Sequence, residues 1–232
     1  MKSSDDRQEP GIQDLLKRSF DILLAGGGLV VSSPVWLLVA TSIVLEDGRP
    51  VFFCQKRWGK GGSAFSALKF RTMRTDSGNE RSVQAGHQDP RITKVGRFLR
   101  ACAMDELPQL WNIFRGDMSF VGPRALPMNE IQSSAGERDI PDEAIPGFQE
   151  RLAVRPGLTG IAQIFADRDV TRAHKFRYDL LYIRRRSFWL DLRLILLSFY
   201  ISFLGRWEVR GGKLNQRRRD ESARAETDWS VR

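Results

Sequence analysis

The sequence predicts an α+β protein, mostly helical with a small β-hairpin, anchored by a re-entrant membrane helix broken at a Ser-Pro step and by interfacial helices. Three observations carry this reading. Residues Ile22 to Leu45 form an uncharged, largely apolar run of 24 positions, long enough to cross a bilayer. That run holds Ser32-Ser33-Pro34 near its centre and has cations on both flanks. Downstream, two short apolar-rich segments flank Gly59-Lys60-Gly61-Gly62, a hairpin signal.

The elements follow in order. Residues 1–13 read as a polar tail, and a helix begins near Asp14. Inside it Pro34 has no N–H, so the carbonyl of Val30 loses its helical partner. The hydroxyls of Ser32 and Ser33 can compensate nearby backbone groups, and Gly26-Gly27-Gly28 add flexibility one turn earlier. The break alone fits a kinked spanning helix. The charges favour re-entry: Lys2, Arg7, Lys17 and Arg18 precede the run, while Arg49, Lys56, Arg57, Lys60, Lys69, Arg71 and Arg74 follow it. A spanning helix has one cation-rich flank, whereas both ends here ask for the same side. No small-residue cleavage site marks a signal peptide.

Glu46-Asp47-Gly48 is a turn, Val51 to Cys54 a strand, and Phe65 to Met73 the returning strand. The polar stretch from Asp76 to Asp89 reads as a mobile loop. Helices are expected over Thr93–Leu99 and about Asp105–Phe114, the second closed by Arg115-Gly116-Asp117. Val121-Gly122-Pro123-Arg124 is a rigid turn, 129–150 a helix–loop stretch, and Arg155 to Gly160 a second glycine-proline turn. One helical pattern runs from Ala173 to Leu204. Its apolar end is too short to span, and its aromatics (Phe199, Tyr200, Phe203, with Trp207 beyond) suit a membrane interface. Docking of that helix on its own domain satisfies the pattern equally. Residues 208–232 read as a basic disordered tail.

A formal net charge of +9 calls for an anionic partner: phospholipid, a phosphorylated substrate or nucleic acid. Cys54 and Cys102 have no metal or disulfide spacing, and with two histidines, His87 and His174, a His-based zinc site is not expected.

The chemistry centres on Asp105-Glu106-Leu107-Pro108. Asp105 fits a helix N-cap, and Pro108 is tolerated in the first turn. A helix start is a seat for phosphate. A carboxylate there can attack phosphorus, and two carboxylates can hold Mg²⁺ against diphosphate oxygens. A bare Asp-Glu pair on its own reads better as a cap and an acidic first turn. The cations supply the second half of the argument. Lys69 and Arg71 share one strand face, Arg91, Lys94, Arg97 and Arg100 recur every third residue, and Arg124 is fixed by Gly122-Pro123. Together they imply a polyanionic ligand at a membrane surface.

These segments resemble the monotopic phosphoglycosyl transferases, the bacterial sugar transferases that start lipid-linked glycan assembly. The matching residues are Lys17 to Asp21, Ser33-Pro34, Gln55-Lys56-Arg57, Leu68 to Met73, Asp89 to Arg97, Asp105 to Gln109, Gly116 to Arg124, Val154 to Gly160, and Tyr178-Asp179 through Leu192. They occur in the expected order across about residues 15–200. The resemblance implies transfer of a phospho-sugar from a nucleotide diphosphate-sugar, usually UDP-linked, to a polyprenyl phosphate such as undecaprenyl phosphate, with UMP leaving. It implies that Asp105 is the nucleophile of a covalent phospho-sugar intermediate, that Glu106 is its partner at Mg²⁺, and that both carboxylates are the metal ligands. Lys69, Arg100 and Arg124 match phosphate-binding cations, with Arg71 beside Lys69 as a further substrate-binding candidate, and Asp179 matches a further acid. Ser33 and Pro34 match the membrane break.

The implied partners are a nucleotide-sugar, a polyprenyl phosphate and anionic phospholipid, not nucleic acid; a homo-oligomer is compatible. The implied setting is the cytoplasmic (inner) membrane in exopolysaccharide biosynthesis. A re-entrant helix at 14–47 would then carry a catalytic domain, 48–207 with its interfacial helices, on the cytoplasmic face. The chain departs from the family pattern at Cys102-Ala103-Met104, at Ala125 and around Phe165 to Arg168, and looks like the small catalytic-core form. The rival reading is a non-catalytic, membrane-tethered basic binding or scaffold protein. It explains the charge but not the ordered motifs.

Overall fold

The computed structural model describes residues 11–74, 89–128, 141–166 and 170–203. The chain is mostly helical with a small antiparallel hairpin and one long apolar helix at its amino-terminal end. Expectations for the two tails, for most of the 76–89 loop and for 129–140 lie outside those residues.

Helix α1 covers Ile12–Asp47, 36 residues. Helical turns continue through Ser33-Pro34, so the expected break is not an interruption. The reason is local: the Ser33 hydroxyl donates to the Val30 carbonyl at 2.8 Å and replaces the bond that Pro34 cannot make. Trp36 Nε1 donates to Ser32 Oγ at 3.0 Å, and its ring packs edge-on against Phe70. The glycine triplet does more than loosen the helix. A Cβ on Gly28 would lie 3.2 Å from Leu110 and one on Gly26 3.4 Å from Phe114, while Ala25 is fully buried. Small residues let α1 pack closely against helix α3, Gln109–Arg115.

Strands β1, Phe52–Trp58, and β2, Ala64–Phe70, pair antiparallel around the Gly59–Gly62 turn with Arg57 opposite Phe65. The first strand runs four residues past the expected Cys54, and the second ends at Phe70, three residues short of the expected Met73. Helix α2, Lys94–Ala101, is capped by Thr93, whose hydroxyl accepts from the Gly96 N–H at 2.9 Å. It lies directly on the end of β2: a Cβ on Gly96 would come within 2.2 Å of the Thr72 carbonyl.

The second glycine-proline stretch is not only a turn. Strand β3, Ser119–Val121, pairs in parallel with β4, Gly157–Thr159. Three-residue strands are too short to carry an alternating pattern. Their signal is the glycines, since a Cβ on Gly157 would fall 2.0 Å from Gly122 N and one on Gly122 2.4 Å from the Arg155 carbonyl. Short helices α4, Phe148–Arg151, and α5, Ile161–Phe165, flank β4.

The single helix expected from Ala173 to Leu204 is two: α6, Arg172–Arg185, and α7, Phe188–Phe203. Arg186 turns extended, and the Ser187 hydroxyl accepts from Leu190 N–H at 3.2 Å, which restarts the helix. One face of α7 is docked, with Leu194, Ile195 and Ile201 buried. The other leaves Trp189, Leu196, Phe199 and Tyr200 exposed. The docked reading holds for one face, and the opposite face is left uncovered.

The main core joins Ala25, Phe65, Leu110, Ile113, Phe120, Tyr182 and Leu194, and a smaller cluster joins Val39, Ile43, Phe70 and Leu99. Leu107 packs against both. Asn112 ties α3 to β2: its Oδ1 accepts from Leu68 N–H at 3.0 Å, and its Nδ2 donates to the Ser66 carbonyl at 2.8 Å and to Asp117 at 3.0 Å. Asn112→Ala strips buried backbone groups of their partners and is expected to cost about 3 kcal/mol of stability, read from unfolding in detergent. A loss below about 1 kcal/mol would mean that water takes over these bonds.

Candidate active site

Three segments converge on the Asp105-Glu106 pair. Helix α2 ends at Ala101 with Cys102 as its C-cap, and Ala103 then adopts a left-handed conformation with φ of 55°. That costs a non-glycine residue roughly 1 kcal/mol. It reverses the chain into a tight turn of 3-10 helix over Met104–Glu106. Asp105 is therefore not the N-cap of the following helix. Pro108 holds that position and α3 starts at Gln109, because the proline fixes φ at the entry and has no N–H for a preceding turn. The pair sits on the turn between α2 and α3, where neighbouring side chains can face one ligand.

From β2, Lys69 Nζ reaches Glu106 Oε1 at 2.5 Å and Asp105 Oδ2 at 3.9 Å. Arg100 comes from the last turn of α2, its Nε donating to Thr72 Oγ1 at 2.9 Å. Arg124 follows Gly122-Pro123 at the end of β3. That turn is rigid because Gly157 N–H donates to the Pro123 carbonyl at 2.8 Å and Gly122 N–H to the Thr159 carbonyl at 2.9 Å.

The electrostatics separate the two acids. Burial pushes the Asp105 carboxyl up to about 6, with the charge of Glu106 adding and Lys69 and Arg100 opposing. Burial also acts to raise Glu106, but Lys69 and Arg124 outweigh it and hold that carboxyl at about 2. Glu106 is thus the anchored anion of the pair. Asp105 is ionised at neutral pH yet less tightly held, the condition a carboxylate nucleophile needs.

Lys69, Arg100 and Arg124 thus act on the Asp105-Glu106 pair. Two candidates are placed differently. Arg71 Nη2 donates to the carbonyls of Asp47 at 2.9 Å and Gly48 at 2.8 Å and lies 3.1 Å from the Asp47 carboxylate, at the exit of α1. Asp179, on α6, is buried, and its Oδ2 accepts from Arg151 Nε at 2.7 Å. Ser33 and Pro34 lie in α1, away from the acids in sequence. The structure also adds Arg57, whose charge acts on Glu106 and whose Nη1 donates to the Ala125 carbonyl at 2.8 Å. Its place in Gln55-Lys56-Arg57 was the available signal.

Among the described residues no cluster of three or more His, Cys, Asp or Glu side chains forms a protein-only metal cage. A pair of acids ringed by cations fits Mg²⁺, which is held by one or two carboxylates together with substrate phosphates. Asp105 and Glu106 are the residues that would hold it.

A family model described as bacterial sugar transferase matches residues 12–205. The chain is similar to the UDP-glucose:undecaprenyl-phosphate glucose-1-phosphate transferase of Klebsiella pneumoniae, 39% identical over 203 residues, which cover 84% of this chain and 42% of that protein. It is similar to the exopolysaccharide production protein PSS of Rhizobium leguminosarum bv. phaseoli, 41% identical over 187 residues, covering 78% and 92% of the two chains. A UDP-N-acetylgalactosamine-undecaprenyl-phosphate N-acetylgalactosaminephosphotransferase of Aeromonas hydrophila is 39% identical over 188 residues, covering 79% and 43%. The matched region thus spans less than half of some of these relatives and nearly all of another.

Proposed function

The chain belongs to the bacterial sugar transferase family, and on that premise we propose that it transfers a phospho-sugar from a UDP-sugar to undecaprenyl phosphate. The observation that carries this is the paired acid site. Both carboxylates sit on one turn: Glu106 pairs with Lys69 of β2, and Asp105, beside Arg100 of α2, is held less tightly.

In the first half-reaction an Asp105 carboxylate oxygen attacks the phosphorus that bears the sugar. The bond from that phosphorus to the bridging oxygen breaks, and UMP leaves with the electron pair. In the second, an oxygen of undecaprenyl phosphate attacks the same phosphorus, the bond to Asp105 breaks, and the carboxylate is regenerated. Lys69, Arg100 and Arg124 neutralise phosphate oxygens as charge shifts, which displacement at phosphorus needs more than proton transfer. Asp105 and Glu106 would hold Mg²⁺, which would supply further positive charge for the diphosphate. One site used twice lets a soluble donor and a lipid acceptor react without meeting.

The proposal includes a re-entrant α1 at the cytoplasmic face of the inner membrane. Its support is that both flanks of the apolar run bind the same folded unit. At the amino-terminal side Lys17 Nζ donates to the Val121 carbonyl at 3.0 Å, and Arg18 donates to the carbonyls of Ile113 at 2.7 Å and Phe114 at 2.8 Å. At the other end the Glu46 carboxylate accepts from the backbone N–H groups of Lys94 at 2.7 Å and Val95 at 2.8 Å. A straight helix holds Lys17 and Glu46 about 44 Å apart, more than the ~30 Å hydrocarbon thickness, so crossing would strand one flank on the wrong side. Val30, Val31, Leu37 and Leu38 remain exposed for lipid, alongside the aromatic face of α7. With Cys54 and Cys102 replaced by serine, cysteines placed at Gly11 and Lys60 are expected to label from the same side of sealed vesicles. Labelling from opposite sides would mean a spanning helix.

The enzymatic reading is tested by incubating the chain in membranes with a panel of UDP-sugars, Mg²⁺ and undecaprenyl phosphate. UMP release with one donor, and a lipid product of matching mass, is the expected result. No release with any donor would favour a non-catalytic binding protein. The Asp105 carboxyl near 6 also sets a pH dependence, because only its ionised form attacks. Below that value kcat/KM is expected to fall by about tenfold per pH unit, and above it to level off. Saturating Mg²⁺ should move this limb to lower pH, because a metal ligand binds deprotonated. A rate independent of pH across this range would mean that Asp105 is not the group that must ionise.

A further inference from the structure

We infer that Asp179 and Arg151 act as a buried positioning pair for Arg124, setting the direction from which that cation meets the donor diphosphate. The inference rests on the proposed phosphate-binding role of Arg124. Asp179 is 2% exposed, so it does not reach a ligand at the surface. Instead its Oδ2 accepts from Arg151 Nε at 2.7 Å, and the Arg151 guanidinium lies 4.2 Å from the centre of the Phe176 ring. Phe176 and Asp179 are both buried residues of α6. Arg151 itself is 5% exposed and spends a terminal N–H on the Arg124 carbonyl, Nη2 to O 2.7 Å.

The chain of contacts runs from α6 through the end of α4 to the turn after β3. It matters because the Arg124 side chain is exposed and makes no hydrogen bond among the described residues, so its direction depends on its backbone. Pro123 and the β4 pairing hold one side of that peptide, through Gly157 N–H on the Pro123 carbonyl, and Arg151 holds the other. Asp179 is also acted on by Arg124 after Arg151, as expected if all three form one electrostatic unit. A lysine at position 151 would keep the charge but lose the planar fork that satisfies a carboxylate and a carbonyl at once.

The test is a double-mutant cycle on the full chain in membranes, using UDP-glucose, or the best donor of the panel, with undecaprenyl phosphate. Arg151→Lys is expected to lower kcat/KM by about 10- to 100-fold, the scale of an ångström-level misplacement of a positioned group. In an Arg124→Ala background the same change is expected to cost less than about threefold, because residues that act through one another are not additive. Multiplicative losses would overturn the inference and give Arg151 a role independent of Arg124. A normal rate in Arg151→Lys would overturn it too. If Arg124→Ala alone costs nothing while UMP is still released, the inference falls and the catalytic reading stands; no release by the unmodified chain removes the reading itself and the inference with it. Asp179→Asn, which keeps shape and one acceptor, replaces Arg151→Lys in the cycle should that variant not fold, with a smaller but equally non-additive loss expected.

Discussion

Asp105→Asn is expected to lower UMP release by at least ~10⁴-fold, because the proposed mechanism then lacks the carboxylate that attacks phosphorus. Asparagine nearly matches the shape of aspartate, so the turn at Met104–Glu106 and the Lys69–Glu106 pair should persist. The loss would then be chemical and not a matter of folding. Two measurements separate the outcomes. Mass spectrometry of the unmodified chain incubated with donor but no lipid should show a phospho-sugar adduct mapping to Asp105, absent from the variant. Complementation of glycan synthesis should also vanish. Retained activity would move the nucleophile elsewhere, and a scaffold that had lost catalysis would show neither adduct nor any difference between the two chains.

The second large effect is expected from Lys69→Met. Removing the cation at 2.5 Å from Glu106 and 3.9 Å from Asp105 leaves two half-buried neighbouring carboxylates with less compensation. Lys69 acts to lower both carboxyl pKa values, so its removal raises both. The acid limb of the rate profile should therefore move to higher pH, and the rate on the plateau should fall by roughly 10²–10³-fold, the usual consequence of losing one positioned charge at a reacting centre. The shift of the limb is the decisive reading. A uniform loss of rate with an unmoved limb would make Lys69 a packing residue, and an unchanged rate would remove it from the site. Lys69→Arg should recover only part of the activity, since a planar fork does not occupy the position of a point charge.

Much of the fold could be read from residue order because its signals are local. The apolar run between cationic flanks announced α1, Gly59 to Gly62 announced the hairpin, and Arg115-Gly116-Asp117 announced the end of α3, where Gly116 indeed turns left-handed with φ of 104°. Even the compensation at Pro34 was legible, because a serine one residue away is within reach of the orphaned carbonyl whatever the rest of the chain does. The failures are also physical. The β3–β4 pair depends on backbone contact between Gly122 and Gly157, residues far apart in sequence, and three-residue strands show no period. Ser187 restarts a helix within a stretch whose helical pattern continues on both sides. Ala103 in a left-handed turn is an outlier that no propensity favours, and it lies two residues before Asp105, at the kind of position where strain held by surrounding structure is most often found.

For the site, residue types and spacing alone picked out the Asp105-Glu106 pair and a surplus of cations suited to phosphate. They could not assign each cation a partner. Lys69 and Arg71 alternate on one strand, yet one meets the acids and the other holds the exit of α1. Asp179 matched a site acid, yet it lies buried against Arg151. The sequence by itself determined the long apolar run, the family and the residue types available for chemistry. Only the tertiary structure decided which charges meet, which acid is paired with Lys69 and which is held less tightly. The reason is that spacing encodes local geometry, whereas a charge's partner and its desolvation depend on segments that meet only when the chain has folded.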